Sequence, residues 1–259
     1  MSTPATRELL GVPVSLVDYE RAMDEMDAMV ASRRPGYVCA IAVHALMVSR
    51  HDPPTRDALL GASLVVPDGK PLVWALRALG ESLPDRVYGP ELTARYCARC
   101  ERLGHRVWLY GGETPEALEE LRLALQRRHP DLQIAGGWSP PHRPLSPEEE
   151  RDVAVRIDSD GADVVWVGIG APRQEQWMAR MRPRLDAPVL AGVGAAFDFI
   201  AERKRQAPRW MQDRGLEWAF RITQDPLRLA PRYLRYNPAF VWAFARQLAA
   251  ERRSRLRRL

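Results

Sequence analysis

The 259-residue chain has little of what marks secreted, disulfide-linked or membrane-spanning proteins. It contains only three cysteines, and an odd number does not fit a disulfide framework. No stretch approaches the ~18 uninterrupted apolar residues that a transmembrane helix needs. The first 15 residues lack a basic segment followed by an apolar one, so we expect no secretory signal and a cytoplasmic location.

Lysine is nearly absent, and positive charge is unevenly distributed along the chain. Of 38 basic residues, only Lys70 and Lys204 are lysines. Residues 201–259 carry 15 basic and 5 acidic side chains, a net charge of +10, and eight of the 20 aromatic residues. Residues 1–200 carry 23 basic and 28 acidic side chains, a net of −5. We therefore predict an acidic body over 1–200 and a basic appendage over 201–259 that binds an anionic partner.

Short apolar runs alternate with helical patterns throughout the body. Strands are predicted at residues 37–43, 64–66, 107–110, 132–135, 163–169 and 189–193. Helices are predicted at residues 17–33, 55–61, 71–79, 91–103, 114–128, 147–159 and 173–181. This alternation is typical of an α/β fold with a mostly parallel sheet and helices on both faces. Because all predicted strands precede residue 200, we expect the body to fold without the appendage.

Ligands of such sheets bind at the carboxyl ends of the strands, so the strand-end turns are the candidate site. Asp68 follows an apolar strand in a Pro-Asp-Gly turn. Aspartate is common in turns and helix caps, but at this edge it is also a candidate general base in a cleft.

Three further turns are rich in glycine: Gly111–Gly112, the pair Gly168 and Gly170, and the pair Gly192 and Gly194. Tight turns favour glycine in any case, but free backbone N–H groups at helix starts also bind phosphate. The turns contain neither a Walker A loop nor a complete GxGxxG motif, which disfavours a nicotinamide dehydrogenase. The CxxC at 97–100 is mid-helix, and the histidines lack metal-ligand spacing, so no metal is expected.

In chain order, these turns and their flanks resemble the WecG/TagA/CpsF family of bacterial glycosyltransferases. The segments that carry the resemblance are LVVPDGKPLVWALRALG (64–80), RVYGPEL (86–92), LYGG (109–112), VGIGAPRQEQWM (167–178), AGVGAAFDFIAERKRQAPRWMQDRGLEWAFR (191–221) and DPLRLAPRYL (225–234). The resemblance implies a Rossmann-like sheet with a helical C-terminal appendage that meets the membrane and completes the active site.

The resemblance also implies an activity: inverting transfer of a sugar from a UDP-sugar to a polyprenyl-diphosphate-linked sugar, in bacterial surface polysaccharide or teichoic acid synthesis. The donor sugar would be N-acetylmannosamine, its uronic acid or a related hexose. Such an enzyme would be peripheral on the inner face of the cell membrane and would need no metal or other cofactor. Its oligomeric state is left open, a homo-oligomer included.

The resemblance assigns roles to single residues. Asp68 would be the catalytic base, Arg86 a basic pocket residue, and Gln174 a polar residue near the donor. The full set of candidate nucleotide-binding residues is Arg86, Gly111, Gly112, Gly168, Gly170, Gln174, Gly192, Gly194 and Asp198. Arg221, Arg228 and Arg232 in the appendage would reach the diphosphates.

The sequence departs from the family pattern in two places. Ala40 and Ala42 replace a Thr-x-Asn at the end of a strand, so a polar contact near the reacting sugars is missing. Pro231 replaces one of two arginines before a tyrosine, which predicts the loss of an appendage arginine and an interruption of the local helix.

Phe240, Val241, Phe244 and Leu248 form one helical stripe beside an arginine-rich end, and this pattern predicts an interfacial membrane anchor. The alternative is a helix packed on the body with a solvated tail. A nucleic-acid-binding tail is disfavoured, because the aromatic residues lie on an apolar stripe and do not interleave with basic ones. Two other functions stay open: a sugar-nucleotide hydrolase or epimerase, and a non-catalytic nucleotide- or nucleic-acid-binding protein.

Overall fold

The computed structural model describes residues 4–256, with side chains as far as residue 254. Its centre is a parallel sheet in the order β4-β3-β8-β7-β5-β6. The strands are β3 (Gly36–Ile41), β4 (Leu64–Pro67), β5 (Val107–Gly111), β6 (Ile134–Trp138), β7 (Val164–Gly168) and β8 (Val189–Gly192), and a separate hairpin is formed by β1 (Thr6–Leu9) and β2 (Val12–Ser15). The predicted α/β class with a parallel sheet is confirmed.

Helices cover both faces of this sheet. They are α1 (Tyr19–Ala31), α2 (Val43–Ser49), α3 (Pro53–Leu60), α4 (Lys70–Ala78), α5 (Gly89–Leu103), α6 (Pro115–Arg128), α7 (Pro147–Ser159), α8 (Arg173–Met181) and α9 (Ala196–Ile200). Alternate residues of each strand bury into opposite layers: Val165 and Val167 join one hydrophobic cluster, whereas Val164 and Trp166 join the other. Because both faces of strands such as β7 are buried, their sequences are apolar at consecutive positions.

Residues 201–256 continue as α10 (Arg209–Asp213), α11 (Glu217–Gln224) and the long α12 (Pro226–Leu256). Pro231 lies inside α12 and does not interrupt it, so the prediction that the helix is interrupted there is wrong. A proline within a helix removes one backbone donor, and the hydrogen bonds and packing of the remaining turns keep the helix continuous here.

Helix α12 packs along α2, and this contact reassigns the predicted apolar stripe. Phe240 and Ala243 are buried in the same cluster as the sheet, and Phe244 and Leu248 pack against it. Val241 instead points away from the body and is 65% exposed. Most of the stripe therefore faces the core, as the alternative of a helix packed on the body predicts. The prediction that the stripe contacts the membrane is wrong for Phe240, Phe244 and Leu248.

Within the body, the hairpin β1–β2 and the helices α2 and α9 were not predicted from the sequence. Gln247 of α12 accepts a hydrogen bond from Leu10 N (2.9 Å) at the hairpin turn and donates one to Glu8 O (3.0 Å). The predicted strand 37–43 is too long, because the backbone already begins α2 at Val43. Strand β6 extends to Trp138, beyond the predicted strand 132–135, and residues 139–146 connect it to α7. The predicted tail residues 257–259 lie outside the described chain.

Candidate active site

A cleft of about 1060 Å³ opens at the carboxyl ends of β3, β4, β5, β7 and β8. Asp68 lies in its wall, directly after β4, where its backbone N–H donates to Ile41 O at 2.9 Å. Its carboxylate accepts a hydrogen bond from Gly89 N at 3.3 Å. Burial raises the pKa of this carboxyl to about 6, against the opposing effect of the Arg86 guanidinium. A carboxylate with such a pKa is suited to accept a proton near neutral pH.

The glycine turns divide into two groups. Gly112, Gly168, Gly170 and Gly194 line the cleft, and a Cβ added at Gly170 or Gly194 would meet nothing within 4 Å. These two turns leave open space beside backbone N–H groups, which is the form of a phosphate-binding turn.

Gly111 and Gly192 do not line the cleft. A Cβ at Gly111 would lie 2.7 Å from Gly168 O, and one at Gly192 would lie 2.6 Å from Met178 Cε. Both are glycines because neighbouring groups approach their backbones closely. Their structural role is packing of the strand ends that carry the cleft.

Gln174 is almost fully buried at the start of α8, yet its amide reaches the cleft wall. Its Oε1 accepts from Gly194 N at 2.9 Å, and its Nε2 donates to Glu175 Oε1 at 2.9 Å. Burial raises the pKa of Glu175 to about 7. Gln174 thereby ties the β7 turn to the β8 turn and fixes the distance between two sides of the cleft.

The appendage contributes three arginines to the cleft wall. Arg221, Arg228 and Arg232 line the cleft there. Arg228 is paired with Asp225 at 2.6 Å, and Arg221 lies 5.7 Å from the centre of the Phe199 ring. Burial lowers the pKa of Arg232, and the nearby Arg221 and Arg228 add to this effect. Three converging guanidinium groups create a strong positive potential beside Asp68.

Two other candidate site residues, Asp198 and Arg86, are held by side chains of this protein. Asp198 lines the cleft and is ion-paired with Lys204, which lines it as well. Arg86 is not on the cleft wall: its Nη1 donates to Glu217 Oε2 at 2.7 Å, and its Nη2 to Gln212 Oε1 at 2.8 Å. It connects the body to the appendage behind Asp68.

Several residues that line the cleft were not predicted from the sequence as site residues. His44, one residue into α2, contacts the Tyr236 ring at 5.0 Å between ring centres, and burial lowers its pKa to about 4. The 139–146 loop contributes His142 and Arg143, and α8 contributes Arg173. The position of His44 could have been predicted from the end of β3 if α2 had been recognised, because His44 lies only three residues after Ile41.

Within residues 4–256, no cluster of three or more histidine, cysteine, aspartate or glutamate side chains could hold a metal ion. The three cysteines are free and buried, including the CxxC pair Cys97 and Cys100. Over the same described residues, no helix combines the length and hydropathy of a membrane span.

Comparison with known proteins identifies the family of this chain. The chain is similar to the N-acetylglucosaminyldiphosphoundecaprenol N-acetyl-beta-D-mannosaminyltransferases of Staphylococcus aureus strains MW2 and NCTC 8325 / PS 47. It is 30% identical to each over 185 residues, which cover 71% of this chain and 70% of each relative. The family described as Glycosyl transferase WecG/TagA/CpsF matches residues 7–254. The chain is therefore an enzyme that belongs to the WecG/TagA/CpsF family of glycosyltransferases.

Proposed function

We propose that the protein transfers an N-acetylmannosamine-type sugar from its UDP derivative to a sugar carried on polyprenyl diphosphate. The observation that carries this proposal is a half-buried carboxylate with a raised pKa, Asp68, that lines the same cleft as three appendage arginines. The relatives' name supports the acceptor and donor classes, because it describes mannosaminyl transfer to a diphosphoundecaprenol-linked sugar.

In the proposed reaction, Asp68 accepts the proton of the acceptor hydroxyl while that oxygen bonds to C1 of the donor sugar. The bond from C1 to the UDP oxygen breaks, and UDP leaves with the electron pair. Attack on the face opposite UDP inverts the configuration at C1. One base is sufficient for this reaction, and a carboxylate that titrates near pH 6 is ionised at cellular pH.

The proposed handling of the diphosphates uses arginines and helix starts in place of a metal. Arg221 and Arg232 have no carboxylate within 4 Å among the described residues, and Arg232 Nε is buried without a hydrogen-bond partner. A diphosphate oxygen would satisfy that donor and neutralise the cluster. On the donor side, the open turn at Gly170 leaves space for a UDP phosphate beside the backbone, and Gly194 N–H is already bonded to Gln174 Oε1.

We further propose that α12 rests on an anionic membrane, through a face other than the stripe first considered. Leu227, Leu234 and Val241 recur every seven residues and are 92%, 70% and 65% exposed, and Trp242 is 62% exposed. Exposed Arg235, Arg246 and Arg253 run beside this ridge, with Arg246 lying 4.6 Å from the centre of the Trp242 ring. An exposed apolar ridge flanked by arginines is typical of a helix lying in a membrane interface.

The test is a panel of UDP-sugars incubated with polyprenyl-diphosphate-sugar acceptors, each with and without EDTA. We expect a lengthened lipid-linked product with UDP-N-acetylmannosamine, formed equally in EDTA. Release of free sugar without a lengthened lipid would favour the hydrolase alternative, and product loss in EDTA would overturn the metal-free mechanism.

A further inference from the structure

Arg86 and Glu217 form an ion pair that joins the two regions of the molecule directly behind Asp68. Arg86 lies in the body, between α4 and α5, whereas Glu217 is the first residue of α11 in the appendage. Their side chains are only 9% and 12% exposed, and Arg86 Nη1 lies 2.7 Å from Glu217 Oε2. The attraction within a pair this well shielded is screened less than in a surface ion pair, and the loss of one partner leaves an uncompensated buried charge.

Other contacts hold the Arg86 guanidinium in one position. Gln212 of α10 accepts from its Nη2 at 2.8 Å. The Tyr88 ring lies beneath it, 4.1 Å from Arg86 Cζ to the ring centre. Two appendage helices and a body side chain therefore fix Arg86, which faces neither solvent nor the cleft.

Asp68 lies within the electrostatic reach of this pair. Arg86 and Arg221 favour its ionised form, whereas Glu217 disfavours it, and Gly89 N–H donates to it. The side chains of Tyr88 and Tyr19 also interact with this carboxyl. Of these groups, Glu217 and Arg221 belong to the appendage, so the charge around Asp68 is complete only when the appendage is docked.

We propose that Glu217 is a positioning residue of the reaction: docked from α11, it holds Arg86 in place behind Asp68 and balances the Arg86 charge. The inference rests on the proposed role of Asp68 as the base. Glu217 acts through Arg86 and through the field at Asp68, and it does not contact the sugar. The appendage thus contributes to proton transfer as well as to diphosphate binding.

The two partners should have opposite effects on Asp68. Glu217→Gln removes a negative charge beside Asp68 and frees Arg86 to interact with it, so the pKa of Asp68 should fall below 6. Arg86→Gln removes the positive charge and leaves Glu217 unpaired, so the pKa should rise. In the double variant the two changes oppose each other, and the pKa should return towards 6.

The primary experiment is a carboxyl ¹³C NMR titration of Asp68 in the full-length protein, assigned with Asp68→Asn. This readout needs no substrate, so its outcome is independent of whether the proposed sugar transfer is correct. The kinetic counterpart is the pH profile of kcat/KM, whose acidic limb should move to lower pH in Glu217→Gln and to higher pH in Arg86→Gln. Limited proteolysis of residues 201–216 checks that the appendage stays docked.

A purely structural role predicts a different pattern. If either change simply releases the appendage, both variants lose the burial of Asp68 and both lower its pKa, with faster proteolysis. Gln212→Met is the matched control, because it removes one Arg86 contact without altering charge and should leave the pKa unchanged. Shifts of the same sign in the two single variants, or no shift with the appendage docked, would overturn the proposal.

Discussion

The body and the appendage are stabilised by different kinds of contact. In the body, strands buried on both faces fix each other, and glycines such as Gly111 and Gly192 let the strand ends approach closely. The appendage has no sheet within residues 201–256 and depends on one side of α12 and on ion pairs such as Arg86–Glu217. The comparison teaches that the rigid part supplies the base and the donor turns, whereas the part attached through few contacts supplies the positive charge.

The largest expected effect is on the body's contribution to catalysis. Asp68→Asn keeps the side-chain shape but removes the base, so turnover should fall about 10²–10⁴-fold with UDP binding nearly intact. Steady-state transfer and calorimetric titration with UDP measure the two quantities. Asp85→Asn is the control, since Asp85 pairs with Lys70 outside the cleft and should leave turnover within a few-fold of wild type. Comparable turnover in both variants would remove Asp68 from the mechanism.

The attachment of the appendage can be broken at one side chain of α12. Phe240 is buried against the body and stacks with Phe244 at 6.2 Å, so Phe240→Ala should lower the free energy of unfolding by about 3–5 kcal/mol. The adjacent Val241→Ala should change it by less than about 0.5 kcal/mol, because Val241 is exposed. Urea unfolding measures both.

A small change in the free energy of unfolding for Phe240→Ala would support the prediction that residues 1–200 fold alone. The structure favours the opposite result, because removal of α12 would expose the face of α2 that covers Phe240 and Ala243. This unfolding experiment therefore tests the prediction that the body ends at residue 200 and folds without the appendage.

The appendage's chemical contribution is tested at Arg221. Replacing a charge-assisted donor by a neutral amide, as in Arg221→Gln, should lower kcat/KM for the lipid-linked acceptor about 10–100-fold. Arg209→Gln, on exposed α10 and outside the cleft, serves as the matched control. Equal values for the two variants with a short-chain, water-soluble acceptor would separate Arg221 from the site.

The raised pKa of Asp68 also predicts a stability effect in the body. A carboxyl whose pKa is higher in the folded state destabilises the fold as pH rises from about 4 to 6, and the full penalty persists above pH 6. Asp68→Asn should therefore raise the free energy of unfolding by about 3 kcal/mol at pH 7.5 and have little effect at pH 3. Urea unfolding at the two pH values would contradict this if the variant were less stable at pH 7.5.

The smallest expected effect concerns the exposed ridge of α12. Val241→Glu places a carboxylate where an apolar side chain would enter the membrane interface, so partitioning to anionic vesicles should fall about tenfold. Val155→Glu is a close control, because Val155 on body helix α7 is 66% exposed and lies away from α12. Vesicle co-sedimentation in which the two variants bind alike would place the membrane contact elsewhere.

Much of the candidate site follows from the strand-end rule. Asp68 and the open glycines, which line the cleft, were predicted from sequence because parallel strands end at one edge, whereas Gln174 was assigned by the family resemblance. Arg86 shows the limit of this reasoning. It lies close to Asp68 in sequence and in space, but only the docked positions of Glu217 and Gln212 turn its side chain away from the cleft.

The sequence by itself determined the α/β class, the six sheet strands and the basic character of the last 59 residues, because hydrophobic periodicity and charge are local properties. The tertiary structure alone decided which side of α12 is exposed. Phe240 and Val241 are neighbours of similar hydropathy, and their roles separate only because α2 covers one of them. It also decided that Arg86 joins the appendage to the body, since this pairing spans 131 residues and depends on how the helices dock.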